Sequence, residues 1–141
     1  MSNEQHRKSN LHSEHTHTTG GRDGIGKSSD EKLNVLLSRP GSAGKGTNPE
    51  QLFAVGWSAC YIGALVIAAR KLGTVLPEDT YVDAEVDLGV SCEAYQLQAR
   101  LFVCLPGIES RTAQKLVELA HHICPYSNAT KGKIDVVTTI I

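Results

Sequence analysis

At 141 residues the chain has the length of one domain with one hydrophobic core. Its 14 Lys and Arg against 15 Asp and Glu leave a net charge of −1, which supplies no electrostatic footprint for DNA or RNA, and neither is expected as a partner. The opening residues are polar, without the apolar core of a signal peptide, and the one long apolar run is broken by Gln51, Ser58, Gly63 and Arg70, so a soluble, cytoplasmic protein without membrane association is expected.

Residues 1–10 offer almost nothing apolar to offset the entropy of ordering and are expected to form a disordered tail, with a single domain over residues 11–141. Leu11 to Thr19 then reads as an edge strand. Of its histidines, only His15 and His17 share a strand face, and no cysteine or carboxylate pattern completes a metal site around them. Gly20-Gly21 and Asp23-Gly24 bracket Arg22 with turn residues and place it at a hairpin end. Lys32 to Ser38 alternates Leu33, Val35 and Leu37 as a half-buried strand. The Gly-rich connection from Pro40 to Gly46 lacks the G-x-x-x-x-G-K-[ST] order of a phosphate loop and gives no warrant for nucleotide binding.

The run Asn48 to Leu72 predicts a long helix. Asn48 suits the N-cap, Pro49 the first helical position, and Gln51 can close a capping box; Arg70 and Lys71 fit the last turn, and Gly73 the terminator. This helix is apolar nearly all round, through Leu52, Phe53, Val55, Trp57, Ile62, Leu65, Val66 and Ile67, so it needs cover on most sides. One small sheet cannot supply that, which argues for a homodimer whose paired sheets enclose central helices. Two longer strands follow, one presenting Val82, Ala84, Val86, Leu88 and Val90, the next Leu97, Ala99, Leu101 and Val103, with the hairpin expected at Glu93-Ala94. A second helix, about Ser110 to Cys124, carries a stripe at Ala113, Leu116, Val117, Ala120, Ile123 and Cys124, and Pro125 forces a break and a short restart ending near Gly132. Ile134 to Ile141 closes the chain as a strand. The order predicts an α+β fold with mainly antiparallel pairing rather than alternating βαβ units.

The cysteines carry the chemistry. Four of them suggest two disulfides in an exported protein, but no export signal is present and a core of this size needs no such staples. Cys60, Cys92, Cys104 and Cys124 contain no close C-x-x-C pair, which weakens a zinc site. Cys92 and Cys104 have no charged partner placed beside them in sequence and read as incidental thiols. Cys60 sits mid-helix, where burial ordinarily makes a thiol inert packing, and Cys124 sits at a helix restart, whose N-terminus favours a thiolate. Together they suggest a two-thiol redox site. Cys60 is too far along its helix to gain from the N-terminal dipole, so a cation must hold its thiolate. Arg22 is the candidate, with Glu50 to orient it by a two-point carboxylate contact; the plainer reading leaves Arg22 a surface turn residue and Glu50 a favourable first-turn charge.

The blocks GTNPEQLFAVGWSAC (46–60) and HHICPYSNATKG (121–132), with GGRDG (20–24) upstream, resemble the organic hydroperoxide resistance (Ohr) branch of the OsmC/Ohr family of thiol peroxidases, in matching order from Gly20 to Ile141. The resemblance implies an OsmC/Ohr-like α+β fold with antiparallel sheets enclosing central helices in an intertwined homodimer. It implies further that Cys60 is the peroxide-reacting cysteine, Cys124 the resolving one, and Arg22 and Glu50 the supporting pair. The activity it implies is reduction of organic hydroperoxides, including those of fatty acids, with no bound cofactor and an external dithiol reductant, dihydrolipoamide on a lipoylated protein. The His-rich N-terminal strand, the short Gly-rich loop, Trp57, Cys104 and Lys131-Gly132-Lys133 depart from the family pattern, and none coincides with those four residues. Two other classes use the same thiols: a non-enzymatic redox sensor, and a cysteine hydrolase with His121 or His122 as base, although no oxyanion-hole motif accompanies either cysteine.

Overall fold

A computed structural model describes residues 11–141, which leaves the expected tail over residues 1–10 outside the described residues. The chain divides into two compact units, Met1–Asn48 and Pro49–Ile141.

The N-terminal unit is a three-stranded antiparallel sheet of β1 (Thr16–Thr19), β2 (Ile25–Ser28) and β3 (Asn34–Leu36), in that order. The first strand is shorter than its composition suggests and begins beyond His12 and His15. The link between β1 and β2 is a 3-10 turn, Gly21–Asp23. Gly20 enters it at φ +75°, and at Gly24 a Cβ would fall 1.7 Å from the Thr19 carbonyl oxygen, so the turn closes only with glycine there. Asp23 is held by Arg39, whose Nε lies 2.7 Å away and whose backbone N–H also donates to its carboxylate.

The C-terminal unit is built on α1 (Pro49–Lys71), which packs on α2 (Ser110–Ile123), the short α3 (Pro125–Thr130) and the strand β4 (Tyr81–Ser91). The helix ends as its glycine predicts: Gly73 at φ +68° donates to the Arg70 carbonyl, and Thr74 to that of Ala69, the paired bonds of a Schellman motif. By length and composition α1 is apolar enough to cross a membrane; within this unit its Trp57, Tyr61, Leu65 and Ala68 are fully buried. Leu52, Val55 and Ile67 are exposed on it.

The second sheet has the order β4, β5 (Ala94–Cys104), β6 (Asp135–Ile140). Ala99, Leu101 and Val103 of β5 are buried against the helices, while the opposite face carries Arg100 bound to Glu85 and, through two bonds of 2.8 and 2.9 Å, to Asp87. One sequence expectation needs correction here. The β4–β5 loop is Cys92-Glu93 rather than Glu93-Ala94, with both residues at positive φ (49° and 65°), so Cys92 lies in the turn itself; such a two-residue turn ordinarily selects Gly or Asn, and neither is present to announce it. The closing strand pairs parallel to β5, so one βαβ crossover, through α2 and α3, sits within the otherwise antiparallel architecture.

Candidate active site

The C-terminal unit brings the two expected thiols together. Cys60 is half-buried on α1, flanked one turn away on either side by Gly56 and Gly63, so no side chain at those positions covers its sulfur. A Cβ at Gly56 would press on the Tyr126 hydroxyl at 3.0 Å, whereas one at Gly63 would meet nothing within 4 Å. Cys124 is fully buried where α2 gives way to α3. Its N–H closes α2 on the Ala120 carbonyl, and its own carbonyl accepts from the Asn128 N–H to open α3. Cys60 packs against the core cluster to which Cys124 belongs. Burial pushes the Cys60 thiol above its ordinary range, and negative charge at Cys124 adds to that rise. Both sulfurs are free thiols.

Glu50 lies half-buried in the first turn of α1, in the same unit as the thiols. Ten residues separate it from Cys60, a distance of about 15 Å along the helix axis. Arg22 lies half-buried in the 3-10 turn of the N-terminal unit. Trp57, Tyr61 and Ala64, on the turns next to Cys60, are buried in the helical core. Two turns either side of Cys60 on α1 stand Phe53, partly buried, and Ile67, partly exposed; Tyr126 of α3 stands 5.9 Å from the Phe53 ring, edge to face.

A second polar set, not evident from the sequence, lies beside the thiols. The Trp57 Nε1–H donates to the Ser127 hydroxyl at 3.2 Å, the same hydroxyl is hydrogen-bonded to His121 Nδ1 at 2.9 Å, and His121 Nε2 to the Thr138 hydroxyl at 2.8 Å. Burial lowers the His121 pKa, and the neighbouring His122 lowers it further, which favours the neutral ring. Indole only donates, so an arrangement that satisfies all four groups has Ser127 donating to Nδ1 and Nε2–H donating to Thr138. Both nitrogens of His121 are thus engaged by hydroxyls, and neither bonds a cysteine sulfur. Among the described residues no group of three or more His, Cys, Asp and Glu converges as a metal site.

The OsmC-like protein family model matches residues 42–139, which include Glu50, Cys60 and Cys124. The chain belongs to the OsmC-like family. Among its OsmC/Ohr relatives, the organic hydroperoxide resistance protein of Xanthomonas axonopodis pv. citri is 42% identical over 134 residues, covering 92% of this chain and 94% of that protein. The organic hydroperoxide resistance protein OhrA of Bacillus subtilis is 40% identical over 128 residues, covering 83% and 86%. The crystal structure of the Bacillus subtilis organic hydroperoxide resistance protein OhrB superimposes with a TM-score of 0.88 at 34% identity, covering 94% of this chain and 100% of that one. The OsmC/Ohr fold expected from the sequence is therefore the fold of this chain.

Proposed function

We propose that the protein is a thiol peroxidase that reduces organic hydroperoxides to alcohols. The observation that carries this reading is the meeting of one reachable thiol, Cys60, with one fully buried thiol, Cys124, in one compact unit. The Cys60 thiolate attacks the hydroperoxide O–O bond, becomes a sulfenic acid and expels an alkoxide that takes up a proton as the alcohol. The Cys124 thiol then condenses with the sulfenic acid, forming a disulfide and releasing water. An external dithiol, dihydrolipoamide or a lipoylated protein, returns both cysteines to thiols by two exchange steps and leaves as its own disulfide. Since both causes acting on Cys60 within its unit disfavour the thiolate, a cation is required; Arg22 is assigned that role, and because Glu50 of the same chain lies about 15 Å along the helix from Cys60, the Glu50 that orients the guanidinium is assigned to the second copy of a homodimer.

The exposed Leu52, Val55 and Ile67 on α1 support a homodimer in which a second copy covers this helix, and the relatives' names support a role in resistance to organic hydroperoxides. A non-enzymatic redox sensor would use the same thiols, and turnover separates the two readings. With dihydrolipoamide in excess, the protein should consume cumene hydroperoxide and a fatty-acid hydroperoxide over many cycles; a single equivalent consumed and no more would favour the sensor.

The open side of the helix at Gly63, together with Phe53 and Tyr126, gives an alkyl tail an apolar surface next to the reacting sulfur. Each methylene removed from water contributes about 0.8 kcal/mol, so kcat/KM should climb about threefold to fourfold per methylene until the surface is filled. Equal values for hydrogen peroxide and a long-chain hydroperoxide would remove the basis for this specificity.

A further inference from the structure

We propose that His121 and Ser127 are positioning residues that clasp the bend carrying Cys124 and set the rate at which it condenses with oxidised Cys60; the proposal rests on the two-thiol reading above. Cys124 belongs to no regular element: it caps α2 at one side and α3 at the other, at φ −65° and ψ 122°, so the position of its sulfur depends on the angle between the two helices. A six-residue helix has little stability of its own, and Cys124 provides no side-chain cap to α3, so side chains must hold it in place. His121 stands one turn before Cys124 and Ser127 one turn after it, and their bond of 2.9 Å spans the bend.

The same clasp is joined to the other thiol's helix. Trp57, one turn before Cys60, donates to Ser127, and Tyr61, next to Cys60, donates to the Val117 carbonyl of α2 at 2.9 Å while its ring lies 4.7 Å from that of His121. Both sequence neighbourhoods of the disulfide are therefore pinned through one buried hydroxyl and one imidazole. Packing does not do this alone. A cavity of about 530 Å³ lies beside the clasp, lined by Trp57, His121, Ser127, Lys131, Val136 and Thr138, and it leaves α3 room to shift once the hydrogen bonds are lost. Ser127 is buried with its hydroxyl fully partnered, a placement that costs stability unless those bonds are made. Disulfide closure tolerates little displacement, since the Cα atoms must come within about 7 Å with the Cβ vectors facing. Loss of the clasp should thus slow condensation and leave the first step, which needs only the Cys60 thiolate, unchanged.

The test separates the two steps by rapid mixing with one equivalent of cumene hydroperoxide, trapping with dimedone or acid, and mass spectrometry of the Cys60 and Cys124 peptides. In Ser127→Ala and in Trp57→Phe the sulfenic acid should form at the wild-type rate and convert to disulfide about tenfold more slowly, with more sulfinic acid at excess peroxide. Ser127→Thr, which keeps the hydroxyl and has the cavity to receive its methyl, should restore condensation. Two variants are used so that one failing to fold leaves the other to decide. Wild-type condensation rates in the folded variants, or a parallel fall of both steps with Tm, would overturn the proposal. Absence of a Cys60 sulfenic acid in the wild-type protein would overturn the peroxidase reading itself and this inference with it.

Discussion

Replacing Cys60 by Ser should reduce hydroperoxide consumption to the uncatalysed background, because an alcohol of ordinary pKa supplies no anion to attack the O–O bond at neutral pH. Replacing Cys124 by Ser should act differently. The first oxidation proceeds, one equivalent of peroxide is consumed, and the protein then stalls as a Cys60 sulfenic acid that a second peroxide carries to the irreversible sulfinic acid. Steady-state turnover falls in both variants, but a burst of one equivalent should survive only in Cys124→Ser. The fully buried setting of Cys124 explains why it should not substitute for Cys60: its sulfur has no path to a bulky hydroperoxide. Burst-phase measurement of peroxide consumed per subunit checks both expectations, and a burst in Cys60→Ser would reverse the assignment of the two thiols.

The second large effect concerns charge. Burial, and then negative charge at Cys124, raise the Cys60 pKa, so the protonated thiol is favoured unless a cation opposes them. Removing that cation must raise the pKa further. In Arg22→Met the oxidation rate at pH 7 should therefore fall by about ten- to a thousandfold, the range an opposite charge at close quarters commands, and should recover as the pH is raised and the thiolate returns. Arg22→Lys should recover part of the loss, since an ammonium keeps the charge without the planar fork that can hold a carboxylate and a thiolate at once. The check is the pH dependence of sulfenic acid formation in a single turnover. A profile whose midpoint does not move in Arg22→Met would show that Arg22 does not act on the thiolate.

Much of the architecture was legible from local chemistry. The long helix announced itself by Pro49 at its start and Gly73 at its end, and the turn around Arg22 by the glycines on both sides of it, because capping and positive φ depend on residues adjacent in sequence. The parallel pairing of β5 and β6 was not legible, since a strand's alternation is the same in either direction and its direction is set by the intervening helices. The Cys92-Glu93 turn was hidden because neither residue favours positive φ, and its geometry is imposed by eleven-residue strands in register on both sides. Of the site, the two thiols could be read from their contrasting positions in helices. The Trp57, His121, Ser127 and Thr138 set could not, because Trp57 and Ser127 are 70 residues apart and meet only when α3 folds back on α1. Of the two adjacent histidines, the structure shows His121 half-buried with both nitrogens bonded and His122 exposed. That the core claims the helix face of Tyr61 and Ala64 was not legible either, because periodicity cannot distinguish faces in a helix apolar on all sides.

The partnership of Cys60 and Cys124 is the centre of this account, and the other two cysteines are its natural competitors. Cys92 is exposed in a hairpin, and Cys104 lies opposite Tyr81 at the edge of the β4–β5 pair. Non-reducing peptide mapping by mass spectrometry, after one equivalent of cumene hydroperoxide is added to the fully reduced protein, tests the pairing directly. The expected result is a single dominant bridge within one chain, Cys60 to Cys124, cleaved by dihydrolipoamide; Cys60 bridged mainly to Cys92 or Cys104, or left without any bridge while peroxide is consumed, would contradict it.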